Sequence, residues 1–132
     1  MPIYTESPGV NDKEYDLNDQ DWHPVGPAFE VVKMRDETSL ELEYSGECLA
    51  TSIDGDGIVF QIRIDNTVPN YGSLGSLKQE NHQSAIFTKS VYVELVAGRY
   101  TAQMYTQVPG LSAQGVCLDP GGWGAKILVT EI

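Results

Sequence analysis

The clearest pattern in the chain is an alternation of apolar and polar positions with a period of two, best seen in VYVELVAGRYTAQMY at residues 91–105. Val91, Val93 and Leu95 alternate with Tyr92 and Glu94, and Tyr100, Ala102 and Met104 alternate with Thr101, Gln103 and Tyr105. Successive side chains of a strand point to opposite faces. The stretch therefore predicts two strands joined by a tight turn at Ala97-Gly98, with Tyr92 and Tyr105 on the face opposite the core.

The same period recurs upstream and downstream. Phe29 to Met34 reads as a strand, followed by a polar turn at Asp36-Glu37. In 38–44, Leu40, Leu42 and Tyr44 face one way and Ser39, Glu41 and Glu43 the other, as in an antiparallel strand with one wet face. A turn at Ser45-Gly46 and a strand over 47–53 follow. Asp54-Gly55-Asp56-Gly57 is a hairpin signal. Next comes the most regular strand, Ile58, Phe60, Ile62 and Ile64 against Val59, Gln61, Arg63 and Asp65. Residues 66–83 form a long connection rich in Asn, Gly, Ser and Pro. Residues 84–89 lead into the central stretch, residues 111–118 form a short strand, and residues 125–132 close the chain as a terminal strand. About eight short strands with turn signals between them, and no convincing helix, predict an all-β fold of two antiparallel sheets or a barrel.

Residues 1–26 break this pattern. Glu6, Asp12, Glu14, Asp16, Asp19 and Asp21 face a single base, Lys13, and Pro2, Pro8, Gly9 and Pro24 interrupt any periodicity. The segment reads as an acidic extended arm, 1–26, attached to a domain at 27–132. Tyr4, Tyr15 and Trp22 are the large apolar groups in it, placed to pin the arm to its own domain or to pack on a neighbouring subunit.

Charge and composition narrow the class. Nineteen acids against eight lysines and arginines give a formal net charge of −11 over 132 residues. Such a chain repels phosphate backbones and anionic lipid surfaces, which argues against nucleic-acid and membrane binding. No apolar run approaches the roughly 20 residues that cross a bilayer, and the N-terminus has no signal-peptide pattern. The expectation is a cytoplasmic protein or a component of a particle. Cys48 and Cys117 are too few for a disulfide framework and read as buried thiols, with a bond between them left open.

The hairpin-like stretch Val93 to Gln103, with the glycine-rich loop after it and the terminal strand Lys126 to Ile132, resembles the C-terminal half of a C1q/TNF-like jelly roll and the related heads of tail fibres and adhesins. The match is a motif over the last third and a pattern over 27–132. The resemblance implies a two-sheet antiparallel jelly-roll sandwich of about eight strands. It also implies a compact head, often trimeric, that recognises proteins or sugars without catalysis.

Candidate chemistry is sparse. Asp54-x-Asp56 lacks the further ligands of a calcium loop. His23 and His82 have no second histidine or cysteine at metal-ligand spacing, so no metal and no cofactor is expected. No Gly-x-Ser-x-Gly elbow or phosphate-cradling lysine loop occurs. The aromatics carry what remains. Trp123, flanked by glycines beside Asp119, and Tyr71, in Pro69-Asn70-Tyr71-Gly72, are candidates for stacking on a sugar ring. Tyr92, Tyr105 and Trp22 are candidates for an oligomer interface, because an exposed apolar patch usually marks one. The sequence thus points to a non-catalytic recognition module for carbohydrate or protein surfaces, working as a homo-oligomer with a trimer favoured. The rivals are a structural subunit or decoration of a phage or surface assembly, and a small enzyme on a β-scaffold.

Overall fold

A computed structural model describes residues 2–6, 13–118 and 125–132. The strands are β1 (Pro2–Glu6), β2 (Tyr15–Leu17), β3 (His23–Lys33), β4 (Thr38–Leu49), β5 (Ser52–Asp54), β6 (Ile58–Ile64), β7 (Tyr71–Ser73), β8 (Gly75–Leu77), β9 (Ser84–Leu95), β10 (Gly98–Gln107), β11 (Ser112–Leu118) and β12 (Lys126–Glu131). Among the described residues there is no helix, and so none long and apolar enough to cross a membrane.

The strands form two antiparallel sheets stacked as a sandwich. The smaller runs β3-β10-β6-β8. The larger carries β1-β12-β4, with β9 and then β7 on the other side of β4, while β11 continues beside β4 and pairs with β2 and β5. Among the described residues no strand pairs with the strand that follows it. From β5 to β11 every connection passes from one sheet to the other, the wrapping of a jelly roll.

That wrapping corrects two expectations. The turn at Ala97-Gly98 does not close a hairpin, because β9 pairs with β4 and β7 whereas β10 pairs with β3 and β6. Asp54 to Gly57 is likewise a corner between sheets, with β5 on β11 and β6 on β10 and β8. A two-residue connection looks the same in sequence whether it pairs two strands or turns a corner. The turn expected at Ser45-Gly46 is also absent, since β4 runs straight through it. Gly46 is there for close packing. A Cβ on it would lie 2.6 Å from the Ala125 side chain.

The core lies between the sheets. Leu40, Leu42, Tyr44 and Cys48 of β4, Ile86 and Tyr92 of β9, and Ile127 and Val129 of β12 meet Val25 and Val31 of β3, Ala102 and Met104 of β10, and Ile58, Phe60, Ile62 and Ile64 of β6. Burial of apolar area on this scale is the main force holding such a sandwich. The register pairs Cys48 with Leu118 and Cys117 with Leu49, so the two cysteines point to opposite faces of the sheet. Both are buried thiols, not bonded to each other. Burial, with Cys117 close by, pushes the Cys48 thiol up to about 12.

The proposed boundary at residue 26 falls inside β3. Before it, β1 pairs with β12 and β2 with β11, and Leu17 and Val25 are core residues. The described part of the acidic segment is therefore built into both sheets. The long connection after β6 also gains two short strands, β7 and β8, one in each sheet.

The open end of the sandwich is closed by charge. Glu131 of β12 accepts the amide hydrogens of Met34 and Arg35, at 2.9 Å each, and the Thr38 hydroxyl at 2.7 Å. The buried Lys33 ammonium lies 3.5 Å away and donates to Thr38 and to the Arg35 carbonyl. This set of donors, the Thr38 hydroxyl first, holds the Glu131 carboxyl down to about 2.

Candidate functional site

The alternation along β9 exists, but its phase is the reverse of that expected. Ile86, Thr88, Ser90 and Tyr92 point inward, and Phe87, Lys89, Val91 and Val93 point outward. The inward hydroxyls are satisfied by backbone groups, those of Ser90 and Tyr92 across the sandwich and that of Thr88 within its own sheet. Ser90 donates to the Ile62 carbonyl, Thr88 to the Ser73 carbonyl and Tyr92 to the Thr67 carbonyl, while Tyr92 accepts the Ile64 amide hydrogen at 3.0 Å. Hydroxyls buried with partners cost little. Tyr92 is 4% exposed, so it forms no surface patch and the expected Tyr92–Tyr105 interface does not assemble.

Tyr105 does lie on an outer face, that of the smaller sheet, yet it is only 8% exposed. It is covered by Arg63 and by the segment carrying Trp22. The period of β6 directs Arg63 away from the core formed by Ile62 and Ile64. The guanidinium carbon lies 4.5 Å from the centre of the Trp22 ring and 5.5 Å from that of Tyr105, both within cation–π range. Nε donates to Gln61 at 2.7 Å and Nη1 to Asn66 at 3.2 Å.

Each of these partners is placed by local structure. Gln61 is two residues back on the same strand and therefore on the same face. Asp65 and Asn66 have φ of 49° and 55°, and the Thr67 amide returns to the Ile64 carbonyl at 2.8 Å. That is the two-residue turn with both central φ positive that Asp and Asn favour, and it brings the Asn66 side-chain oxygen Oδ1 to the guanidinium. Trp22 is held over it by two glutamines of β10. Gln107 donates to the Gln20 carbonyl and Gln103 to the Gly26 carbonyl, each at 2.8 Å. The Gly26 amide in turn donates to the Tyr15 hydroxyl at 3.0 Å. Tyr15 and Trp22 thus bind the N-terminal segment to its own domain.

Arg63 is 6% exposed. Burial lowers its pKa, with the Tyr92 and Tyr105 hydroxyls opposing. An arginine stays protonated regardless, so the site is a fixed, aromatic-flanked cation on an acidic protein. Periodicity placed Arg63 outward, but nothing in the sequence announced that Trp22, 41 positions earlier, would cover it.

Tyr71 is 63% exposed and sits on the outer face of the larger sheet, in register with Val91. The structure therefore separates it from Trp22, Tyr105 and Arg63, which lie on the other side of the sandwich. On the same face, Val91 beside Tyr71 is half-buried, Phe87 further along β9 is 48% exposed, and Leu128 of β12 is half-buried. Lys89 lies between Glu41 at 2.8 Å and Glu43 at 3.9 Å, and its ammonium is held above its usual pKa by that contact. Trp123 and Asp119 lie outside the described residues.

Asp54 and Asp56 form a corner, with the Asp54 carbonyl accepting the Leu111 amide hydrogen at 2.9 Å. Among the described residues no cluster of three metal-ligating side chains occurs. His23 meets Asp19 at 2.6 Å, and among the described residues no hydroxyl or thiol is hydrogen-bonded to its ring. No protein-family model, curated protein or solved structure matches the chain.

Proposed function

We propose that this chain is a non-catalytic recognition module of the C1q/TNF-like jelly-roll kind, working as a homo-oligomer, with a trimer favoured, on carbohydrate or protein surfaces. The observation that carries the reading is the outer face of the larger sheet. It presents Tyr71 and Phe87 to solvent beside Val91 and Leu128. Its charges come close to balance, since Glu41, Glu43 and Glu47 share the face with Lys89 and the exposed Lys126. A chain of net charge −11 repels its own copies almost everywhere else. A sheet face of low local charge with exposed apolar side chains is where copies meet with least repulsion. The wrapping of the strands between two sheets supports the family resemblance. The aromatic-framed Arg63 on the opposite side supplies a recognition group rather than a nucleophile or a base.

Phe87→Glu tests the assembly half. A charge at this exposed apolar position is expected to dissociate the oligomer while leaving the β-sheet circular dichroism unchanged. An oligomer insensitive to Phe87→Glu and to Tyr71→Glu would place the contact elsewhere and remove this reading.

A further inference from the structure

Among the described residues, Lys33 and Arg63 are the buried cations, and they are treated differently. Lys33 has the Glu131 carboxylate at 3.5 Å. Among the described residues Arg63 has no carboxylate within ion-pair distance and is met by two amide oxygens and two aromatic rings. A buried charge is normally paired, because removing it from water is costly. A guanidinium has five N–H donors. Gln61 takes the one on Nε and Asn66 takes one on Nη1. Among the described residues Nη2 has no acceptor, and it is not one of the polar atoms sealed from solvent. Nη2 therefore keeps donors that solvent reaches, and the end-on edge it forms with Nη1 is where an acceptor can enter.

We propose that Arg63 anchors a ligand through a carboxylate, received end-on at the Nη1–Nη2 edge, with Trp22 and Tyr105 framing the guanidinium and the site. The inference rests on the recognition reading above and names the group recognised. A carboxylate suits the edge because two parallel N–H···O bonds match the planar fork. It also suits the protein. A chain of net charge −11 repels phosphates and sulfates of higher charge, and one negative charge is compensated locally by Arg63. The Gln61 and Asn66 bonds hold the guanidinium in one plane before any ligand arrives, so little side-chain freedom is lost on binding. The surrounding side-chain amides of Gln61, Gln103 and Gln107 and the Tyr105 ring provide polar and aromatic contacts for the remainder of the ligand.

The test is a titration of the full-length wild-type protein followed by NMR at the Arg63 Nε–H and the Trp22 indole N–H. The probes are sodium glucuronate and N-acetylglycine, against glucose and sodium chloride at matched ionic strength. A saturable shift at both reporters with a carboxylate probe, at concentrations on the order of millimolar, is the expected result. Saturation by glucuronate alone names an acidic sugar, by N-acetylglycine alone a peptide C-terminus, and by both the carboxylate itself. Arg63→Lys keeps the charge and loses the fork, so it should weaken binding about tenfold or more. No saturable shift with either carboxylate, or a shift matched by glucose or chloride, overturns the proposal without recourse to a variant. The molar mass of the same sample separates the two readings. A silent Arg63 in an intact oligomer rejects this inference alone, and a saturable Arg63 in a monomer rejects the assembly alone.

Discussion

The Tyr92 hydroxyl accepts the amide hydrogen of Ile64 at 3.0 Å, which ties a side chain of the larger sheet to the backbone of the smaller one. The same hydroxyl donates to the Thr67 carbonyl just beyond the tight turn at Asp65-Asn66. Tyr92 is therefore a rivet between the sheets. Tyr92→Phe leaves the Ile64 amide and the Thr67 carbonyl without this partner, and the expected loss is about 1–3 kcal/mol. Urea unfolding should show a lower midpoint at unchanged slope, with the molar mass of the native protein unaltered. A shift in association with no change in midpoint would return Tyr92 to an interface role.

Stability should fall in acid through Glu131. Its folded pKa of about 2 lies below the ordinary glutamate value of 4.5, so the folded state holds the charged form more tightly than the unfolded chain does. The contribution is complete above about pH 4.5 and is lost as the pH falls toward 2. Glu131→Gln should flatten the stability profile in that window. It should also destabilise the protein at neutral pH, since Lys33 is left buried without its carboxylate. Chemical unfolding of both proteins from pH 2 to 7 measures this. Parallel profiles for wild type and variant would show that Glu131 does not carry the acid sensitivity.

Gly72 holds the edge strand that presents Tyr71. Its φ is 149°, and a Cβ there would lie 1.9 Å from the Lys89 carbonyl oxygen. Gly72→Ala should therefore cost more than about 1 kcal/mol and lift β7 from β9. The Asn70 amide, now bonded to the Val91 carbonyl at 2.9 Å, should exchange with solvent faster. Self-association should weaken as Tyr71 leaves the face. Unchanged Asn70 exchange in the variant would mean that β7 stays paired despite the added methyl.

The sequence made the strands legible because the sandwich has one dry face per strand, and a period of two survives in β4, β6 and β10. It did not make their pairing legible. Ala97-Gly98 and Asp54 to Gly57 are short enough for hairpins and are corners, because connection length does not record which sheet comes next. The phase of β9 was misread for a chemical reason. Thr88 and Ser90 look like surface residues until the Ser73 and Ile62 carbonyls that receive their hydroxyls are in view. The stack of Trp22 on Arg63 escaped for a third reason. It depends on Gln103 and Gln107 lacing a distant segment across β10, a contact that no local pattern encodes.

The central claim is that copies of this chain meet through the face carrying Tyr71 and Phe87. Light scattering coupled to size exclusion on the wild-type chain, at micromolar concentration and physiological salt, tests it most directly. The expected molar mass is three times that of the 14.5 kDa chain, falling to one chain with Phe87→Glu. A wild-type protein that elutes and scatters as a single chain at that concentration contradicts it.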